Sequence, residues 1–128
     1  MKTEQPAQTP GGHDAAIAAF HLMWDAFPFL VLLLQRDRTI LAANRMAIRM
    51  GAIPGMKCYQ WHKVEEIHEH CLGNAALDSG RSMRRVLPYR GMVLDSYWIP
   101  VGTEDELMIH FSIDITPYAK PELLQEST

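Results

Sequence analysis

Residues 29–51 read FLVLLLQRDRTILAANRMAIRMG. Phe29 to Gln35 is a dense apolar run of the length of one buried strand. Arg36, Asp37 and Arg38 form a polar turn, and Thr39 to Ala43 resumes as a second strand. Two strands around so short a polar break predict a hairpin. Asn44 is placed to cap a short helix running to Met50, with Gly51 as its stop signal. A hairpin that feeds directly into a capped helix sets the frame for the rest of the chain.

Upstream, Met1 to Gly12 is polar and rich in Pro, Gln, Thr and Gly, as expected of a flexible arm. Asp14 is a candidate N-cap for a helix in which Ile17, Phe20, Trp24 and Phe27 make one apolar stripe, ended by Pro28. Downstream, Pro54-Gly55 marks a turn and Met56 to His62 a short helix. Glu65 to Ser79 predicts a longer helix, with Ile67, Cys71, Ala75 and also Leu72 and Leu77 on its apolar side and Gly80 as its stop. Three strands follow: Ser82 to Tyr89, Met92 to Val101, and a last one from Leu107. In that last strand Leu107, Ile109, Phe111, Ile113 and Ile115 alternate with other residues, the mark of a half-buried strand. Pro117 and Pro121 break the tail, which has length for a helical turn or two. Helix, two strands, short helices and three strands predict an α+β fold: one antiparallel five-stranded sheet with helices on one face.

The composition narrows the function classes. The chain has 128 residues, enough for one domain that needs no disulfide or metal staple. A formal charge of −3 argues against a nucleic-acid partner, which requires a basic face. The arginines at 81, 84 and 85 read as a solvated strand edge that blocks aggregation. Two cysteines among 128 residues do not make a secreted disulfide scaffold. No targeting segment is visible, and Phe27 to Leu34 is too short to span a bilayer, so the expected location is cytoplasmic, with no membrane partner. No Gly-x-Ser-x-Gly elbow, phosphate loop or Gly-x-Gly-x-x-Gly is present, so an enzyme is not expected.

The order of elements resembles that of the PAS family. The local matches are Asn44 opening the first inner helix in LAANRMA and the Gly55-Met56-Lys57-Cys58-Tyr59 segment, similar to the G-x-x-C-Y of one PAS subgroup. Asn74 to Gly80 is similar to the helix end before the third strand. Pro100 stands near the end of the fourth strand, and Asp114-Ile115-Thr116 resembles the closing D-I-T. The resemblance spans roughly residues 20–118. It implies a PAS-like core over 28–118, a flanking helix over 13–27, an arm over 1–12 and a short tail over 119–128. It further implies a stand-alone sensory or protein-interaction module, with a ligand held in some members between sheet and inner helices. Only residues 117–128 follow the Asp-Ile-Thr, so output is expected to pass to a separate effector or signalling protein. Where the subgroup often carries C-x-x-C, this chain has His68-Glu69-His70-Cys71.

Several constellations could carry chemistry. Met46, Met50, Tyr59, Trp61 and Met83 are candidates to line a small-molecule pocket, since Met and aromatic groups adapt to apolar ligands; the competing reading is core packing. Cys58 with His62, and His68 with Cys71, have helical spacings that would present two sulfurs and two nitrogens, a donor set for zinc. His62 or His68 could instead ligate haem. A redox sensor built on this cluster is the alternative to a ligand sensor. The family's flavin-binding branch carries a reactive Cys near position 58. The neighbours Lys57, Tyr59 and Trp61, and a last strand without Gln, depart from its pattern. The stripe of Ile17, Phe20, Trp24 and Phe27 must be covered by something, and a homodimer through this helix and the outer sheet face is expected, with Tyr97 or Trp98 on that face. A ligand-free dimerisation scaffold is the third reading.

Overall fold

In this computed structural model, which describes residues 12–62, 66–67, 70–102 and 106–124, the chain runs α1 (Asp14–Trp24), β1 (Val31–Gln35), β2 (Ile40–Ala43), α2 (Arg45–Arg49), α3 (Cys58–Trp61), α4 (Gly73–Ser79), β3 (Met83–Tyr89), β4 (Met92–Val101) and β5 (Leu107–Asp114). Two 3₁₀ turns follow, at Thr116–Tyr118 and Pro121–Leu124, each with a proline in its first turn, where a missing N–H costs nothing. The strands make one antiparallel sheet in the order β2-β1-β5-β4-β3. The expected hairpin of β1 and β2 is present, with a bulge between Leu33 and Leu34. All but the last residue, Gly12, of the expected arm lies outside the described residues.

Asn44 ties three elements together. Its Oδ1 accepts from the Ala47 amide at 3.0 Å, capping α2, and from the Val31 amide at 3.0 Å. Its Nδ2 donates to the carbonyls of Trp24, Phe27 and Phe29 at 3.1, 3.3 and 2.8 Å. The loop that carries the chain from α1 into β1 is therefore held by one fully buried side chain. Helix α1 starts at Asp14 with His13 at the cap position, one residue earlier than the sequence suggests.

The two faces of the sheet are covered differently. On the outer face α1 lays Phe20, Ile17, Trp24 and the following Phe27 over Val31, Leu33, Leu107, Ile109 and Phe111. The stripe expected to face a second copy packs in part on the chain's own sheet: Phe20 is only 2% exposed, while Ile17, Trp24 and Phe27 are half-buried. Tyr97 lies on this outer face, stacked on Phe111 at 5.1 Å, while Trp98 points to the inner face. On the inner face α2, α3 and α4 supply Ala47, Cys58 and Ala76 to a core with Leu32, Leu34, Ile40, Trp98 and Met108.

Double coverage also corrects the reading of β5. Leu107 to Phe111 is buried without a break, not half-buried, because β5 is the central strand with α1 on one side and the inner helices on the other. The helix expected over 65–79 is shorter. It begins only at Gly73, and Cys71 and Leu72 precede it in irregular backbone. Ala76 rather than Ala75 meets the core. Gly80 closes α4 in a left-handed conformation, φ 70°, as its position predicts.

Candidate functional site

The inner face carries an unusual group for a hydrophobic layer. Arg38, in the turn after β1, is 2% exposed. Its φ is 73°, a left-handed conformation that Gly or Asn adopts at lower cost. The turn holds it there: Arg38 N–H donates to the Gln35 carbonyl at 2.8 Å, and the Thr39 amide to Asp37 Oδ1 at 2.9 Å. From this position the side chain runs under α4. Nη1 donates to the Arg36 carbonyl and to Asn74 Oδ1 at 3.1 Å, and Nη2 meets Cys71 Sγ at 3.4 Å. Gly73 makes room for it: a Cβ there would lie 2.7 Å from Nη2 and 2.9 Å from the Met108 methyl.

A small cavity, about 10 Å³ and so the size of one water, lies beside this guanidinium. Leu34, Trp98 and His110 line it from the sheet; Tyr59 and Cys58 line it from α3; Ile67 and Cys71 complete it with Arg38. Trp98 and His110 are paired across β4 and β5 and stacked with centroids 4.8 Å apart. His110 Nδ1 meets the Tyr97 carbonyl at 2.9 Å, which can only accept, so Nδ1 donates. Among the described residues, Arg38 Nε and Trp98 Nε1 are buried donors that hydrogen-bond to no protein group.

The residues singled out from the sequence are distributed unevenly around this cavity. Of the five pocket candidates, Tyr59 lines it. Trp61 and Met83 pack against the inner core, Trp61 donating through Nε1 to the Met50 carbonyl at 2.8 Å. Met46 is half-buried on α2 and Met50 is 50% exposed, and neither reaches the cavity.

Of the metal candidates, Cys58 and Cys71 both line it, but His62 turns its Nδ1 to the Tyr89 hydroxyl at 3.0 Å. His68 lies outside the described residues. Cys71 is not helical, so the i, i+3 spacing that placed it beside His68 on one helix face does not apply. Among the described residues no three His, Cys, Asp or Glu side chains converge as metal ligands. Burial pushes the Cys58 thiol up to about 12, and nearby Cys71 adds to the shift while Arg38 opposes it. Zinc ligation requires the thiolate, which this surrounding disfavours. Of the two haem candidates, His62 meets Tyr89 and His68 lies outside the described residues.

No family model matches the sequence, and no curated protein does. Solved structures do. A domain of an HTR-like protein from Haloarcula marismortui is 25% identical, with a TM-score of 0.54 over 70% of this chain and 99% of that one. The PAS domain of Bordetella pertussis BvgS has a TM-score of 0.51 at 18% identity, over 85% of this chain and 91% of its own. The chain folds as a PAS-like domain. A sensory box sensor histidine kinase from Vibrio cholerae matches at a TM-score of 0.52 and 16% identity, over 87% of this chain and all of that one.

In this PAS-like core the cavity sits between the sheet and the inner helices, where the sequence resemblance led us to expect a ligand. Two of its polar walls escaped the sequence reading. Arg38 looked like a solvated turn residue, and no local signal marks it for burial. His110 did have a signal: in β5 it falls on the face opposite Leu107, Ile109 and Phe111, together with Met108. The Arg84 reading fares better. It lies on edge strand β3 and grips Asp95 on β4 through two bonds of 2.6 and 3.0 Å. No helix among the described residues is long and apolar enough to cross a membrane.

Proposed function

We propose that this chain is a sensory and protein-interaction module, a binding domain rather than an enzyme, that takes a small ligand between its sheet and inner helices and signals through another chain. The observation that supports the reading most directly is a small cavity beside a buried guanidinium inside an otherwise apolar layer. Evolution of a purely structural core has no use for buried donors without partners, because each costs free energy that a methyl group would not. The cavity is also well placed to report. Arg38 bonds Asn74 of α4 and the Arg36 carbonyl in the β1–β2 turn, so a change at the cavity is felt by both. The structural neighbours support a signalling role, since one of them is a sensory box sensor histidine kinase.

A homodimer through α1 and the outer face of the sheet is part of this proposal, and the half-buried Ile17, Trp24 and Phe27 leave surface there for a second copy. Light scattering at micromolar concentration tests that component and gives twice the chain mass if it holds. A thermal-shift screen with a fragment library, followed by native mass spectrometry, tests ligand binding. A ligand that binds only the folded state raises the midpoint by mass action. The expected result is at least one saturating compound whose effect disappears in Cys71→Phe, which fills the cavity. A library with no such compound, and no bound mass, overturns the reading.

A further inference from the structure

We propose that Cys71 and Cys58 are a metal-free dithiol switch: a hydroperoxide oxidises Cys71, and Cys58 then closes a disulfide with it inside the chain. This modification site goes beyond the ligand reading and does not depend on it.

One residue holds both thiols. The Arg38 carbonyl accepts from the Cys58 amide at 2.8 Å, and Arg38 Nη2 donates to Cys71 Sγ at 3.4 Å. Both cysteines pack in the inner core, and both line the cavity beside the guanidinium. Cys71 also adds to the upward shift of the Cys58 thiol, which requires the two sulfurs to lie close enough to feel each other's charge. A bridge needs no room for a bound molecule, so a cavity of about one water suffices. Cys71 stands in irregular backbone ahead of α4, so its sulfur can turn towards Cys58 without unwinding a helix.

The surroundings give the two thiols different roles. Cys58 is 7% exposed, and burial keeps it protonated. It is a poor first nucleophile, because the thiolate is the form that attacks. Cys71 is half-buried, so an oxidant meets it first, and its sulfur touches a cation. Among the described residues no carboxylate pairs with Arg38, whose other acceptors are the Arg36 carbonyl and the Asn74 amide oxygen. Of these three acceptors only the Cys71 sulfur can take up a negative charge, and a neighbouring guanidinium favours that form.

The chemistry balances in two steps. The Cys71 sulfur attacks one oxygen of the hydroperoxide: an S–O bond forms, the O–O bond breaks, and the leaving oxygen departs with the thiol proton as an alcohol or water. Cys71 is then a sulfenic acid. The Cys58 sulfur attacks the Cys71 sulfur: the S–S bond forms, the S–O bond breaks, and hydroxide leaves with the Cys58 proton as water. The hydroperoxide has taken the two electrons that the thiols gave up. Because Cys58 is already beside its target, the second step is intramolecular, which offsets its weak nucleophilicity. The bridge draws Cys71 Sγ from Nη2, and the same guanidinium holds Asn74 in α4, so oxidation is felt by that helix.

The test is titration of the folded full chain with hydrogen peroxide near neutral pH. Denaturation, alkylation and intact-mass and peptide mass spectrometry follow. The expected product is a monomeric chain lighter by two hydrogens, with no alkylatable thiol and a Cys58–Cys71 peptide pair that dithiothreitol releases. In Cys58→Ser, dimedone should trap Cys71 as the sulfenic acid. In Cys71→Ser, Cys58 should stay reduced over the same time. Arg38→Gln should slow the loss of thiols at least roughly tenfold, and Arg38→Lys, which keeps the charge, should slow it less. The parent peptide map and the trapping in Cys58→Ser decide the matter even if Arg38→Gln does not fold. Two alkylatable thiols after excess peroxide, a bridge only between chains, or oxidation of Cys58 in Cys71→Ser as fast as in the parent would each overturn the proposal. So would an unchanged rate in a folded Arg38→Gln protein.

Discussion

The two faces of the sheet are built from the same strands and have different chemistries. Val31 and Leu33 look outward and Leu32 and Leu34 inward; Tyr97 looks outward and Trp98 inward; Phe111 looks outward and His110 inward. The outer layer is apolar and aromatic. Trp24 and Phe27 pack on Phe111 at centroid distances of 5.6 and 5.5 Å, and Tyr97 stacks on it as well. The inner layer has the same aliphatic floor, but it also contains a guanidinium, two thiols, an imidazole and an indole with its N–H unmatched. One face is organised to hold the fold. The other gives up some of that stability to keep polar groups in reach of a cavity. A period of two lets one strand serve both purposes, since neighbours along a regular strand face opposite sides; at the β1–β2 bulge the alternation breaks and Leu41 and Ala42 both join the outer core.

If that division holds, damage to the outer face should cost stability and spare binding. Phe20→Ala removes a fully buried ring and should destabilise by about 3–5 kcal/mol, measured by chemical denaturation, while the affinity for any ligand found by the thermal-shift screen stays unchanged. A parallel loss of affinity would break the distinction. Asn44→Ala strikes the joint between the faces. It leaves the Ala47 and Val31 amides and the Phe27 and Phe29 carbonyls without their partner, while the Trp24 carbonyl keeps the Phe27 amide, and should cost about 2–3 kcal/mol.

Gly73→Ala is the reverse of Phe20→Ala. The added methyl meets the ends of two side chains, Arg38 and Met108, which can shift, so the stability cost should be only about 1 kcal/mol. The guanidinium cannot shift and also keep its position, so binding should fall by much more than stability does. Retained affinity would show that Arg38 is not held by the space Gly73 leaves.

The thiols sharpen the same contrast by pH. Burial raises the Cys58 pKa above its unfolded value, so its stabilising contribution is complete below about pH 9 and is lost as pH rises towards 12. In a Cys71→Ser protein, the remaining thiol should react with a disulfide reagent at pH 8 only as fast as the chain opens. Fast labelling of the folded protein would mean that the inner layer is open at α3.

The smallest effect belongs to the surface. The Thr39 amide and hydroxyl, with Lys57, hold the Asp37 carboxyl down at about 2. A depressed folded value means that the contribution is present above about pH 4 and is lost as pH falls towards 2. Asp37 is well exposed and its ion pair with Lys57, at 3.1 Å, is screened by solvent. The thermal midpoint should therefore fall slightly less between pH 5 and pH 2 in Asp37→Asn than in the parent chain.

Much of this fold is legible where the signal is local. The capped helix after Asn44, the stop at Gly80 and the strand boundaries near Tyr89 and Met92 all depend on residues a few positions apart. The misreadings come from partners that are distant in sequence. The α1 stripe looked uncovered because part of what covers it is distant in sequence: Trp24 and the following Phe27 pack on Phe111, more than eighty residues later. The run 65–72 looked helical from its apolar spacing, but Leu72 is where α4 is capped and Cys71 is drawn to Arg38 instead. The candidate site was half legible. Tyr59, Cys58 and Cys71 were named from the sequence, whereas Arg38, Trp98 and His110 became a site only when three separate elements met.

By itself the sequence determined the order of elements, the hairpin, the cap at Asn44 and the alternation that divides each strand between two faces. These follow from backbone geometry and side-chain period, which act over a few residues. The tertiary structure alone decided which apolar stripe is spent within the chain, that β5 is buried on both sides, and that a turn arginine lies in the core. Burial depends on what comes from elsewhere to cover a residue. For Arg38 the cover is Gly73 and Asn74, and neither its own neighbours Asp37 and Thr39 nor its charge foretells that meeting.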